Sequence, residues 1–357
     1  MKLFTCDACG QLLFFENQRC ERCGHALGFV AERTSLLTLE ADGELWRPLD
    51  APGEAWRFCD NARHGACNWL VPAESGDVLC RACDHNRTVP DLSNPRHLEL
   101  WKAVEVAKHR LIYSLLRFGL PLSSKRLEPA TGLAFDVLSD EACTFHDDQR
   151  VMTGHAEGLI TLNLAEADPA AREAARTSMA EPYRTLLGHF RHEIGHYYWE
   201  RLVRDGDRLE PFRDLFGDER EDYGRALGRH HEAGPPADWP SRFVSAYASA
   251  HPWEDWAETW AHYFHMVDTL ETAHAHGVST RPRIAADSSL AARIDFDPYR
   301  GVAFDRLMDD WLPLTIALNS LNRSMGLPDL YPFVLAEPAA AKMRFVHDLI
   351  TEVTRSS

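Results

Sequence analysis

The sequence predicts an α+β protein, with small β-rich modules first and then a mostly helical domain carrying a small sheet. Three observations support this. Eight cysteines fall between residues 6 and 83, in tight pairs. Residues 133–137 and 158–164 read as strands. Beyond them, long segments place apolar residues three and four apart, which is the helical period. Strands followed by helices favour α+β over a doubly wound sheet.

Composition narrows the class. The 357 residues are 45% hydrophobic and 26% charged, enough to bury a large core, so general disorder is excluded. The formal net charge of −16 argues against a phosphate backbone as partner, because that affinity comes from Lys and Arg. No run approaches the roughly 18 apolar residues of a membrane span, so no membrane association is expected. The opening residues Met1 to Asp7 lack the apolar stretch of a signal peptide, so the expected location is cytoplasmic. In that compartment clustered cysteines point to metal rather than to disulfides.

The cysteine spacing is specific. Cys6-x2-Cys9 and Cys20-x2-Cys23 are each followed by glycine, Gly10 and Gly24. Zinc takes four thiolates in a tetrahedron, and each Cys-x2-Cys turn supplies two. A glycine after the second cysteine permits positive φ. A second set, Cys59-x7-Cys67 and Cys80-x2-Cys83, has one stretched knuckle and also reads as a four-cysteine site. His64 and His85 are possible substitute ligands there, although solvated surface histidines are the simpler reading. Both zinc sites are expected to be structural, since such short segments build a poor core alone. The predicted organisation is residues 1–90 as two zinc-ribbon-like modules, about 1–30 and 55–90, followed by a second domain over 95–355. Cys143 stands apart and reads as a buried structural cysteine.

Residues 86–97 contain two prolines and several turn formers and are expected to be a linker. From 98 to about 119, Leu100, Trp101, Val104, Ala107, Leu111, Leu115 and Leu116 recur at helical spacing, with Lys102, Lys108 and Arg110 as a solvated face. In the 158–164 strand, Ile160, Leu162 and Leu164 share one face and Thr161 and Asn163 the other. Further helices are predicted at about 169–178, 182–204, 252–276, 303–325 and 338–354, with Pro182 in the first turn of the second of these.

The helix predicted from 182 carries His192-Glu193-Ile194-Gly195-His196 among Leu186, Leu187 and Phe190. Histidines four apart share a helix face and can reach one zinc ion, and the glutamate between them can act as general base on a metal-held water. The metzincin extension is absent, because Trp199 and Leu202 occupy its Gly and His positions. Downstream, Pro252 suits a helix start, with Glu254 and Asp255 in its first turn. Glu254 and Glu258 lie four apart, so one can bind the metal while the other supports a histidine ligand. The bland reading is two solvated helix acids. His189, His251, His262 and His265 read as helix-face or helix-start polar residues, with His262 the best candidate for a supporting contact. His230-His231 reads as an exposed loop pair, and Tyr197 and Tyr198 as packing residues.

The cysteine modules, the HEIGH helix and the segment HPWEDWAETWAHYFH, His251 to His265, together resemble the bacterial zinc-binding metallopeptidases that carry an N-terminal zinc ribbon. The resemblance extends over nearly the whole chain and includes Gly154-His155, Gly158 to Asp168 and Glu181 to Arg191. The active-site pattern is also similar to the gluzincins, whose third ligand is a downstream glutamate followed four residues later by a supporting acid. That resemblance implies a zincin-like domain with His192, His196 and Glu254 on a catalytic zinc and Glu258 in support, the two acids being exchangeable in principle. A tyrosine seven residues before the ligand, here Tyr247, resembles the oxyanion donor of lethal-factor-like gluzincins.

The implied activity is zinc-dependent hydrolysis of peptide bonds in a peptide or protein substrate, with Glu193 as general base. By analogy, the 158–164 strand would offer an edge to an extended substrate. Two other readings stay open. SprT-like proteases, which act on DNA-bound protein, also join a ribbon to H-E-x-x-H, but they use a third histidine, and the acidic charge argues against them. The ribbons could instead recruit a protein partner beside an inactive peptidase-like domain.

Overall fold

The computed structural model describes residues 1–140, 151, 153–178, 181, 183–283 and 290–356. Cys143 and Pro182 lie outside the described residues. The chain divides into two compact units, Met1–Met179 and Ala180–Ser357.

The first unit opens on a small hairpin, β1 (Phe4–Thr5) with β2 (Leu12–Leu13). Gly10 and Gly24 take φ of +69° and +78°, as the knuckle turns require. Their N–H groups donate to the carbonyls of Cys6 and Cys20 at 2.8 and 2.9 Å. Strands β3 (Ala26–Val30), β4 (Ser35–Asp42), β5 (Leu45–Pro48), β6 (Trp56–Phe58) and β7 (Leu70–Pro72) form a five-stranded antiparallel sheet in chain order. Val30, Leu37, Leu39, Trp56 and Leu70 make its core.

Residues 86–97, read as a linker, contain strand β8 (Asn86–Thr88), which pairs parallel to β9 (Ala134–Leu138). Helix α1 (Pro95–Phe118) follows, capped by Asn94. Its Tyr113 joins an aromatic cluster with Phe15, Phe29 and Trp69, so α1 shares a core with the cysteine modules. Trp101, Val104, Leu111 and Leu115 are buried, as their spacing requires. Lys108 corrects the expected solvated face, because it is fully buried. It stands seven positions after Trp101 and four after Val104, on the apolar stripe itself. Glu105 meets its charge at 2.7 and 2.8 Å.

The second sheet has the order β10-β11-β9-β8, with β10 at Gly154–Ala156 and β11 at Leu159–Asn163. The expected edge strand is therefore an inner strand: β11 pairs antiparallel with β10 on one side and parallel with β9 on the other. Its ladder groups are already occupied, which removes it as a site for adding a substrate strand. Helix α2 (Pro169–Ser178) closes the unit.

The second unit is helical. Helix α3 (Leu186–Tyr198) begins four residues later than expected, where the Thr185 hydroxyl accepts from Gly188 N–H at 3.0 Å. It continues as a π-helical turn over Trp199–Arg204. Helices α4 (Leu209–Phe216) and α5 (Tyr223–Ala233) were not legible as periodic segments. α4 has only two turns, and α5 carries two glycines and one buried residue. His230 and His231 thus lie on a helix rather than in a loop, and His230 is half-buried. Helix α6 (Pro252–Ala275) is buried on almost every face, which makes it the centre of the unit. A short hairpin of β12 (Ser279–Thr280) with β13 (Ala292–Arg293), then α7 (Phe304–Ser324) and α8 (Glu337–Ser356), complete it. On α8, Lys342 pairs with buried Asp255 of α6 at 2.6 Å. No described helix is long and apolar enough to cross a membrane.

Helices α3 and α6 meet at Gly195. A Cβ there would lie 3.1 Å from the Ala257 Cα and 3.2 Å from the Trp260 Cβ. Trp256 Nε1 donates to the Gly195 carbonyl at 2.8 Å, and Tyr198 stacks on Trp260 with ring centroids 5.1 Å apart. Gly195→Ala is expected to lower stability by about 1–3 kcal/mol despite alanine's better helix propensity, because overpacking outweighs it. A denaturant melt of the zinc-loaded protein checks this; unchanged or increased stability would show that the helices can separate at no cost.

Candidate active site and metal centres

The α3–α6 contact determines what the HEIGH turn faces. His192 Nε2 and His196 Nε2 stand 3.2 Å apart. Glu254, in the first turn of α6, places Oε2 3.0 Å from His192 Nε2 and Oε1 3.6 Å from His196 Nε2. A tetrahedral zinc ion with bonds of about 2.0–2.1 Å sets its ligand atoms about 3.3–3.4 Å apart. The three separations bracket that value, so the donor set fits zinc. His192, His196 and Glu254 form one of the clusters able to hold a metal.

Electrostatics points the same way. Glu254 is fully buried. Burial alone would raise its pKa, yet His196, His192 and the Tyr223 hydroxyl hold it down at about 2. Burial works against protonation of His192, but Glu254 and Glu258 raise its pKa well above the usual histidine range. Two carboxylates around the buried His196 and half-buried His192 create a demand for positive charge that a divalent cation meets. Glu193 is pushed up to about 7, first by burial and then by Glu254 and Glu258, against the pull of His192.

Glu258 does not face the convergence point. Its Oε1 accepts from His192 Nδ1 at 2.7 Å and its Oε2 accepts from the Ser245 hydroxyl at 2.6 Å. The bond to Nδ1 fixes the tautomer that leaves the His192 Nε2 lone pair free for metal. His262 takes no such place. One turn along α6, its Nδ1 bonds the Tyr331 hydroxyl at 2.6 Å, and burial lowers its pKa to about 4. Ser245 occupies the supporting position expected of His262. His251 is the N-cap of α6, accepting from Trp253 N–H at 3.1 Å.

Tyr247 packs its ring 5.9 Å from His192, and burial first, then Glu254, keeps its hydroxyl protonated. Tyr223 escaped the sequence reading. Its hydroxyl donates to Glu254 Oε1 at 2.7 Å and also meets the Tyr247 hydroxyl. It reaches the site from α5, with no motif around it to signal the contact.

In the first unit the cysteines gather as their spacing predicts. Cys6 and Cys23 sulfurs lie 3.5 Å apart and those of Cys9 and Cys20 3.6 Å. In the second set Cys67 and Cys80 lie 3.7 Å apart. A tetrahedral zinc with bonds of about 2.3 Å separates its sulfurs by about 3.8 Å, so both sets fit. None of the eight is joined in a disulfide. Each set of four forms a cluster able to hold a metal. His64 is half-buried and pairs its ring edge-on with Trp101. His85 corrects the surface reading: it is buried and hydrogen-bonds the Leu133 carbonyl at 3.1 Å. The histidine that does reach the second set is His109 of α1, 26 residues beyond Cys83 and outside any cysteine spacing motif.

A helix-borne pair of histidines with a glutamate from a second helix, in a chain that also carries four-cysteine ribbons, defines a zinc-binding class of protein. The chain belongs to the family described as "Putative zinc-binding metallo-peptidase", whose model matches residues 97–349. A zinc-ribbon domain model matches residues 3–94. Similar proteins include uncharacterized proteins of Mycobacterium tuberculosis and Mycobacterium bovis. Each is 44% identical over 354 residues, covering 99% of this chain and 96% of the relative. No solved structure matches the chain.

Proposed function

We propose that the protein is a zinc metalloendopeptidase, with His192, His196 and Glu254 as ligands and Glu193 as general base. The observation that supports this best is the convergence of two imidazole nitrogens and one buried carboxylate beside a glutamate whose pKa is raised to about 7. Zinc bound there would supply Lewis acidity towards a water and a substrate carbonyl. Glu193, which can both accept and release a proton near neutral pH, takes a proton from the attacking water and passes it to the leaving amine. The Tyr247 hydroxyl donates a hydrogen bond to the developing oxyanion, and Tyr223 holds Glu254 in place from its Oε1 side. Glu258 and Ser245 orient His192. The two four-cysteine centres are structural in this reading, and the substrate is a peptide or protein. A peptide library incubated with the zinc-loaded protein tests the proposal. Expected is cleavage that a chelator stops and added zinc restores. No cleavage of any peptide would favour a protein-binding module built on the ribbons.

A further inference from the structure

The second cysteine centre contains one more donor than zinc uses. His109 Nε2 lies 3.3 Å from Cys67 Sγ and 3.8 Å from Cys83 Sγ. In a tetrahedral zinc site a histidine nitrogen sits about 3.5–3.6 Å from a cysteine sulfur, given bonds of about 2.0–2.1 and 2.3 Å. His109 therefore stands where a ligand would stand. Its ring is also prepared for that role. Nδ1 donates to the Glu105 backbone carbonyl at 2.6 Å, which leaves the lone pair on Nε2, directed at the sulfurs. A fixed Nδ1–H with a free Nε2 is the arrangement that metal-ligating histidines need. The ring has little freedom, being buried and held edge-on against Trp69 with centroids 5.2 Å apart. Nearby Glu105 Oε2, 3.6 Å from Cys83 Sγ, is matched in charge by buried Lys108. Cys83, Glu105 and His109 form a metal-competent cluster that overlaps the four-cysteine one.

We propose that the centre at Cys59, Cys67, Cys80 and Cys83 is a five-donor site. His109 is the reserve ligand that holds zinc as a three-sulfur, one-nitrogen set when Cys67 or Cys83 is removed. Of the described cysteine centres this one alone sets a buried histidine, His109 of helix α1, against its sulfurs. The first has no comparable buried histidine, since His25, 3.2 Å from Cys23, is only half-buried on a loop. This inference does not depend on the peptidase reading.

The test measures zinc per chain in the full-length protein after dialysis, for Cys67→Ala, Cys83→Ala, and each combined with His109→Leu. Expected is that at least one single variant keeps the same zinc content as the unaltered protein and that its His109→Leu combination holds one ion fewer. Loss of one zinc ion, or insolubility, in both single variants would overturn the proposal, because His109 would then be unable to hold the metal. Retention of the ion in the combined variants would overturn it equally, because His109 would then be unnecessary. Cys83→Ala guards against a folding defect peculiar to Cys67, whose sulfur also accepts from Trp69 N–H at 3.3 Å.

Discussion

Glu193→Gln is expected to lower turnover of any cleavable peptide by about 10²–10⁴-fold, the range that a positioned general base supplies. Zinc content should not change. Glu193 is absent from the converging donor atoms, which come from His192, His196 and Glu254. The amide keeps the size of the side chain and loses only the ability to accept a proton. Burial and the two nearby carboxylates raise the Glu193 pKa to about 7, which suits a group that must take a proton and return it. Steady-state kinetics alongside metal analysis checks both halves. Full activity would remove Glu193 from the mechanism, and loss of zinc would make it a structural partner of the metal.

The second large effect separates Glu254 from Glu258. Glu254→Ala removes one of three donors and is expected to abolish high-affinity zinc binding at the HEIGH site. Glu258→Ala should weaken binding only about 10–100-fold, as loss of a partner behind a ligand does. Glu258 touches His192 at Nδ1, the nitrogen turned away from the convergence point, whereas Glu254 faces Nε2. Competition with a chelator of known affinity gives both values. The reverse order would assign the ligand role to Glu258.

The parts of the site that were legible in the sequence are the local ones. His192 and His196 follow from a helical repeat of four, and Glu254 and Glu258 from the same repeat after Pro252. The cysteine knuckles follow from spacing and from the glycines behind them. Long-range contacts were not legible. Tyr223 meets Glu254 across 31 positions, and His109 meets Cys67 across 42, from segments with no motif of their own. Ser245 lies only 13 positions from Glu258, but its segment is irregular and gives no periodic signal. Lys108 was misread by residue type although its position on the helix was correctly periodic; Glu105 one turn away makes its burial tolerable. Strands of the first sheet hid because β3 is buried along most of its length, so alternation never appears. The 158–164 strand was identified by alternation, but alternation cannot reveal that β10 covers its outer side.

The central claim is that zinc occupies the HEIGH site in addition to the two cysteine centres. Elemental analysis of zinc per chain, on the unaltered protein and on His192→Ala, tests it most directly. The account expects three ions, falling to two in the variant with its melting behaviour otherwise intact. Two ions in both proteins would contradict it, leaving the ribbons as the metal-binding part of the molecule.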